Sequence, residues 1–77
     1  MKELVEFLAR ELVDDPDSVE VSESFDDRGT LITLHVAPDD MGKVLGKGGR
    51  TAKAIRAVVR AAATRQGTSA YVDIVDR

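Results

Sequence analysis

An α+β domain with the element order helix, strand, strand, helix, helix, strand is predicted for this chain by three observations. Apolar residues recur at helical spacing over residues 1 to 13 and 50 to 66, and they alternate with polar ones over 19 to 25, 30 to 37 and 70 to 75. Clusters of Asp, Pro and Gly punctuate most of the junctions. Charge is also unevenly distributed. The stretch from Met41 to Gln66 carries seven basic residues and no acid, and is broken by Gly46-Lys47-Gly48-Gly49, whereas the rest of the chain sets four basic residues against all fourteen acids. A net charge of −3 thus conceals a +7 segment on a −10 remainder, the footprint expected of a protein that reads a polyanion.

In the first helix Met1, Leu4, Val5, Leu8, Ala9 and Leu12 share one face, opposite Glu3, Glu6, Arg10 and Asp14. Asp14-Asp15-Pro16-Asp17 ends it, because proline cannot continue the hydrogen-bond ladder and biases the residue before it away from helix. Phe7 falls on the polar side. A ring folded back over the helix edge is the simpler expectation, a partner contact the alternative.

Val19, Val21 and Phe25 share one parity against Ser18, Glu20, Ser22 and Ser24, which predicts a half-buried strand. Asp26-Asp27-Arg28-Gly29 is turn chemistry, and Thr30 to Ala37 resumes the alternation with Ile32, Leu34 and Val36 inward, completing a hairpin. His35 shares the other parity with Leu31 and Thr33 and is read as structural. Pro38-Asp39-Asp40 opens a helix of about two turns, with proline and carboxylates where a helix N-terminus favours them, and Gly46 closes it. The long helix runs from Arg50 to about Gln66, with Gly67 as its C-terminal stop. Ala70 to Val75 is the last strand, Val72 and Ile74 inward and Tyr71 and Asp73 outward.

Seventy-seven residues suit one domain, spanning 1–77, near the size at which a single core becomes marginal. With no cysteine and one histidine, disulfides and thiolate metal sites are excluded, and no cofactor or metal is expected. The alternating N-terminus lacks the apolar run of a signal peptide, and no stretch approaches the roughly 20 residues that span a bilayer. These features, with an initiator-like Met1, lead us to expect a whole, cytoplasmic protein with no membrane partner.

Three glycines in four positions between two helices let the chain turn sharply and let a ligand approach the main chain. The first N–H groups of the following helix point at whatever lies before it, a ready phosphate site. Lys47 at the loop tip, Arg50 at the helix entrance and Lys43 one turn earlier add charge. The plainer alternative is a tight turn with solvated lysines and arginines, since a four-residue glycine pattern is weak alone. The acid-free surroundings, the short helix before and the basic helix after favour the phosphate reading. A Walker loop does not fit, because three residues rather than four separate Gly42 from Gly46-Lys47, and Gly48 follows in place of Ser or Thr. A dinucleotide fingerprint fails as well, with Thr51 at its third glycine and a helix leading into the loop. No enzyme is expected.

Val44-Leu45-Gly46-Lys47-Gly48-Gly49-Arg50-Thr51, followed by Ala54-Ile55-Arg56, resembles the signature of the KH RNA-binding domain, whose G-x-x-G loop clamps single strands. The element order resembles the type II, or prokaryotic, form, and over essentially its whole length the chain is similar to the small stand-alone bacterial KH proteins of the KhpA type. The resemblance implies a three-stranded mixed sheet with three helices on one face, and a groove for about four unpaired nucleotides. It implies phosphate and sugar contacts from Gly46 to Gly49, an apolar floor from Val44, Leu45 and Ile55, and Ile32 or Leu34 as the opposing wall. With the nearby cations, the candidate RNA contacts are Lys43, Val44, Leu45, Gly46, Lys47, Gly48, Gly49, Arg50, Lys53, Ile55 and Arg56. No aromatic residue falls in this groove, so stacking is expected to contribute little. The implied role is a small RNA-binding protein or RNA chaperone in post-transcriptional regulation.

On the wheel of the long helix, Thr51, Ile55, Val59 and Ala62 form the expected core stripe and Lys53, Arg56 and Arg60 a basic stripe. Between them runs a ridge of Ala54, Ala57 and Ala61, with Val58 and Arg65 at its edge. Alanine permits close approach of another helix, but it is also the best helix former at unconstrained positions. The resemblance favours a contact surface, because KhpA-type proteins pair with themselves and with a larger KH-containing partner. A KH-shaped interaction subunit acting mainly through such pairing is the alternative to RNA binding.

Overall fold

Val5 and Ala9 are removed from solvent on the inward side of α1 (Lys2–Leu12) in the computed structural model, which describes residues 1–76. A short 3₁₀ turn at Pro16–Ser18 redirects the chain into β1 (Glu20–Asp26), and the Asp27-Arg28 turn returns it as β2 (Gly29–Val36). The two strands pair antiparallel, Glu20 opposite His35 and Asp26 opposite Gly29. The Asp26 carboxylate accepts the Arg28 N–H at 2.8 Å and fixes the turn. Gly29 adopts φ 129°, and a side chain there would drive into the Ser69 backbone, whose carbonyl accepts the Thr30 N–H at 2.9 Å.

A 3₁₀ turn at Pro38–Asp40 leads into α2 (Met41–Leu45), and the long α3 (Arg50–Arg65) follows the glycine loop. Then β3 (Ala70–Asp76) lies parallel to β2, Thr30 facing Ala70 and Val36 facing Asp76, in a sheet ordered β1-β2-β3. The parallel pairing needs a crossover, which α2, the loop and α3 supply. One sheet face, with Val21, Ile32, Leu34, Val36 and Val72, packs on Val5, Ala9, Val44, Ile55, Val59 and Ala63 of the helices. Order, mixed sheet and helical layer are those of the type II KH fold.

Some expectations change. Phe25 has the inward parity of Val21 yet is 77% exposed, because β1 runs past the end of the helical layer. The buried stripe of α3 is Ala52, Ile55, Val59 and Ala63, not Thr51, Ile55, Val59 and Ala62. Thr51 packs against the Gly46 backbone and is half-buried, and the stripe is centred about half a residue further round the helix. Phe7 is 61% exposed and borders a hollow lined by Glu3, Glu6, Arg10 and Glu11 of its own helix. Asp40 stands at the start of α2 as expected, and it is also buried. Its two oxygens accept the Asp14 and Asp15 N–H groups, each at 3.1 Å, tying the end of α1 to the start of α2.

Candidate nucleic-acid interface

The loop is shaped by backbone angles only glycine adopts easily. Gly46 donates its N–H to the Gly42 carbonyl at 2.9 Å, ending α2, and turns outward with φ 75° and ψ 170°. Gly48 (φ 66°, ψ 19°) and Gly49 (φ 78°, ψ 12°) are both left-handed, and one 3₁₀ turn closes as the Gly49 N–H meets the Gly46 carbonyl at 3.1 Å.

These glycines differ in what surrounds them. A side chain on Gly46 would collide with Thr51, 2.8 Å from its backbone nitrogen, so this position is fixed by packing. Gly48 and Gly49 have nothing within 4 Å of where a side chain would stand, which leaves their backbone open to an approaching ligand. The first turn of α3 has no acidic residue and no side-chain cap, so its positive dipole end faces this opening. Lys47, Gly48, Arg50 and Lys53 are exposed, and Gly46 and Gly49 are half-buried.

The other expected contacts are placed differently. Val44 and Ile55 belong to the core and can only support the loop from beneath; Leu45, 36% exposed, supplies the accessible apolar surface. Ile32 and Leu34 have no exposure, because the helices cover the central strand, and they cannot form a groove wall. Lys43 is exposed, but its ammonium lies 3.0 Å from the Asp14 carboxylate. That hydrogen bond and charge, with Asp40 and Asp39 beyond, raise its pKa above the usual lysine value, so it stays charged but is already engaged. Arg56 turns toward the sheet, its Nε donating to the Val72 carbonyl at 3.2 Å.

On the far side of α3, Ala54, Ala57, Val58, Ala61 and Arg65 are all exposed. Ala54 and Val58 also line an apolar groove of about 260 Å³ with Leu8 and Leu12 of α1. Leu12, expected in the core, stands at its rim, 37% exposed. Sequence reasoning missed this groove because it joins two helices some forty residues apart. The only signal was that each helix carried more apolar positions than one narrow stripe requires.

A family profile described as "KhpA/KhpB, KH domain" matches residues 2–74. The chain belongs to this family. Among its relatives, the RNA-binding protein KhpA of Halalkalibacterium halodurans is 59% identical over 76 residues, 99% of this chain and 100% of the relative. That of Clostridium perfringens is 51% identical over 75 residues, 97% of this chain and 100% of the relative. The Mycobacterium tuberculosis protein of the same name is 49% identical over 72 residues, 94% of this chain and 86% of the relative. Membership in the KhpA/KhpB family agrees with the type II KH arrangement of the strands and helices. Among the described residues no helix is long and apolar enough to cross a membrane.

Proposed function

We propose that this chain binds single-stranded RNA through the Gly46–Gly49 loop, as a non-catalytic RNA-binding protein of the bacterial cytoplasm. The observation that carries this reading is the pair of left-handed glycines, Gly48 and Gly49, open to solvent at an uncapped helix start. Backbone N–H groups and the exposed Lys47 and Arg50 would hold phosphates there, with Gly46 setting the loop's shape, Leu45 offering an apolar contact to a base, and Lys53 and Arg56 alongside. Val44 and Ile55 support the loop from the core, and Lys43 joins when it leaves Asp14. The relatives' name, RNA-binding protein KhpA, supports the same reading. Holding a short unpaired segment would let the protein act as an RNA chaperone in post-transcriptional regulation.

We further propose that it works as a homodimer, or with a larger KH-containing partner, through the α3 ridge of Ala54, Ala57, Val58 and Ala61, with Arg65 at its edge. A second reading, an interaction subunit that does not bind RNA, draws on the exposed ridge and the apolar groove beside it. Fluorescence anisotropy with a short unstructured RNA separates the two. Saturable binding by the isolated chain, lost in the Lys47→Asp/Gly48→Asp variant, is expected; an isolated chain that self-associates but binds no RNA favours the second reading.

A further inference from the structure

Tyr71 projects from β3 with 54% of its surface exposed, on the outer side of the sheet and away from the glycine loop. Its ring borders three hollows. Two of about 140 Å³ each lie toward α3, one beside Arg60 and Ser69 and the other between Arg56 and Arg60. The third, about 320 Å³, lies toward the hairpin, with Leu31, Arg28 and Asp26. Arg28 is paired with Asp26 at 3.5 Å, whereas Arg60 is exposed and meets no carboxylate among the described residues. An exposed ring beside an unpaired guanidinium matches a base followed by its phosphate.

We propose that Tyr71 and Arg60 form a second contact for single-stranded RNA, a stacking platform beside the free edge of β3 that receives the strand leaving the glycine loop. The proposal rests on the reading of this chain as an RNA binder. Lys53, Arg56 and Arg60 mark the route, spaced along one side of α3, and Arg60 stands about 15 Å along the helix from Arg50. The edge beside Tyr71 suits RNA better than an added peptide strand, because the Val72 carbonyl is already occupied by the Arg56 Nε. Asp73, next on the outer face, repels phosphate and confines the strand to the Tyr71 end.

Tyr71 is the one tyrosine, and the chain has no tryptophan, so its emission reports stacking directly. Titrating the full chain with an unstructured RNA of roughly ten nucleotides is expected to quench that emission saturably, while one of roughly four nucleotides binds without quenching. Tyr71→Ala is expected to weaken the longer RNA about five- to tenfold and to leave the shorter unchanged, with Tyr71→Phe restoring affinity. Binding of the longer RNA without quenching, or an equal loss for both lengths in Tyr71→Ala, overturns the platform. The Lys47→Asp/Gly48→Asp variant separates the two ideas. If it binds both RNAs as wild type while the longer still quenches Tyr71, the loop reading falls and Tyr71 and Arg60 stand as an RNA contact independent of the loop; if neither RNA binds the wild type, both fall.

Discussion

Replacing Lys47 and Gly48 together by aspartate removes RNA binding and spares the fold, whereas Gly46→Ala lowers the stability of the fold itself. Gly48 sits at φ 66° with open space where a side chain would stand, so the cost is that of the left-handed backbone alone, about 1 kcal/mol, and Asp bears it better than most residues. A chain of 77 residues has roughly 4 to 12 kcal/mol of stability, so the double variant stays folded. A charge-assisted hydrogen bond contributes about 1.5 to 3 kcal/mol. Losing one from Lys47 and setting two carboxylates beside the phosphate therefore lowers affinity about a hundredfold or more. At Gly46 a methyl group meets Thr51 and its backbone, and the combined backbone strain and overpacking cost about 2 to 4 kcal/mol. Anisotropy with a short RNA and urea denaturation, run on both variants, separate the effects. Wild-type affinity in the double variant, with unchanged circular dichroism, would show that phosphate is not held at this loop.

Salt is expected to weaken binding of an RNA of roughly four nucleotides gently, with a log–log slope of roughly −1.5 to −3 for a few phosphates; a much steeper slope for so short an RNA means that the loop is not the main contact. Freeing Lys43 by Asp14→Asn should raise affinity about two- to fourfold at low salt, the size of an exposed ion pair, and no change would exclude Lys43 from the site. Asp40→Ala leaves the Asp14 and Asp15 N–H groups without their acceptor and should cost about 3 kcal/mol in urea denaturation, with Asp40→Asn losing less. A bulky residue at Ala57 or Ala61 should give a folded monomer, while wild type sediments as a dimer at tens of micromolar, roughly where a weak dimer is still populated; a wild-type monomer there removes the homodimer.

The element order was legible because each segment obeys one period. Ile32, Leu34 and Val36 alternate without exception and lie on the inner face as expected. The phase of α3 was harder to read, since alanines at 52, 54, 57, 61, 62 and 63 give the wheel little contrast. The second role of Asp40, tying α1 to α2, was not legible either. A carboxylate after proline looks like helix-end chemistry, and its partners at 14 and 15 are unrelated to it in sequence. At the site, pattern could propose the loop but not depth. Val44 and Ile55 carry the same apolar signal as Leu45, and only the fold sorts one accessible side chain from two buried ones.

The parallel pairing of β2 and β3 has a consequence for how the molecule is made. All seven cations of the +7 segment lie in the crossover between those two strands. During synthesis the hairpin and both loop helices emerge before the strand that fastens the far end of α3 to the sheet. Contacts so distant along the chain form late, after the local ones. Until β3 docks, Arg56 lacks its Val72 partner and α3 lacks its packing on that strand, so the cationic loop is displayed on an unfinished support. On the proposed reading, a nascent chain carries the charge that attracts RNA before β3 has docked to complete the support behind the loop.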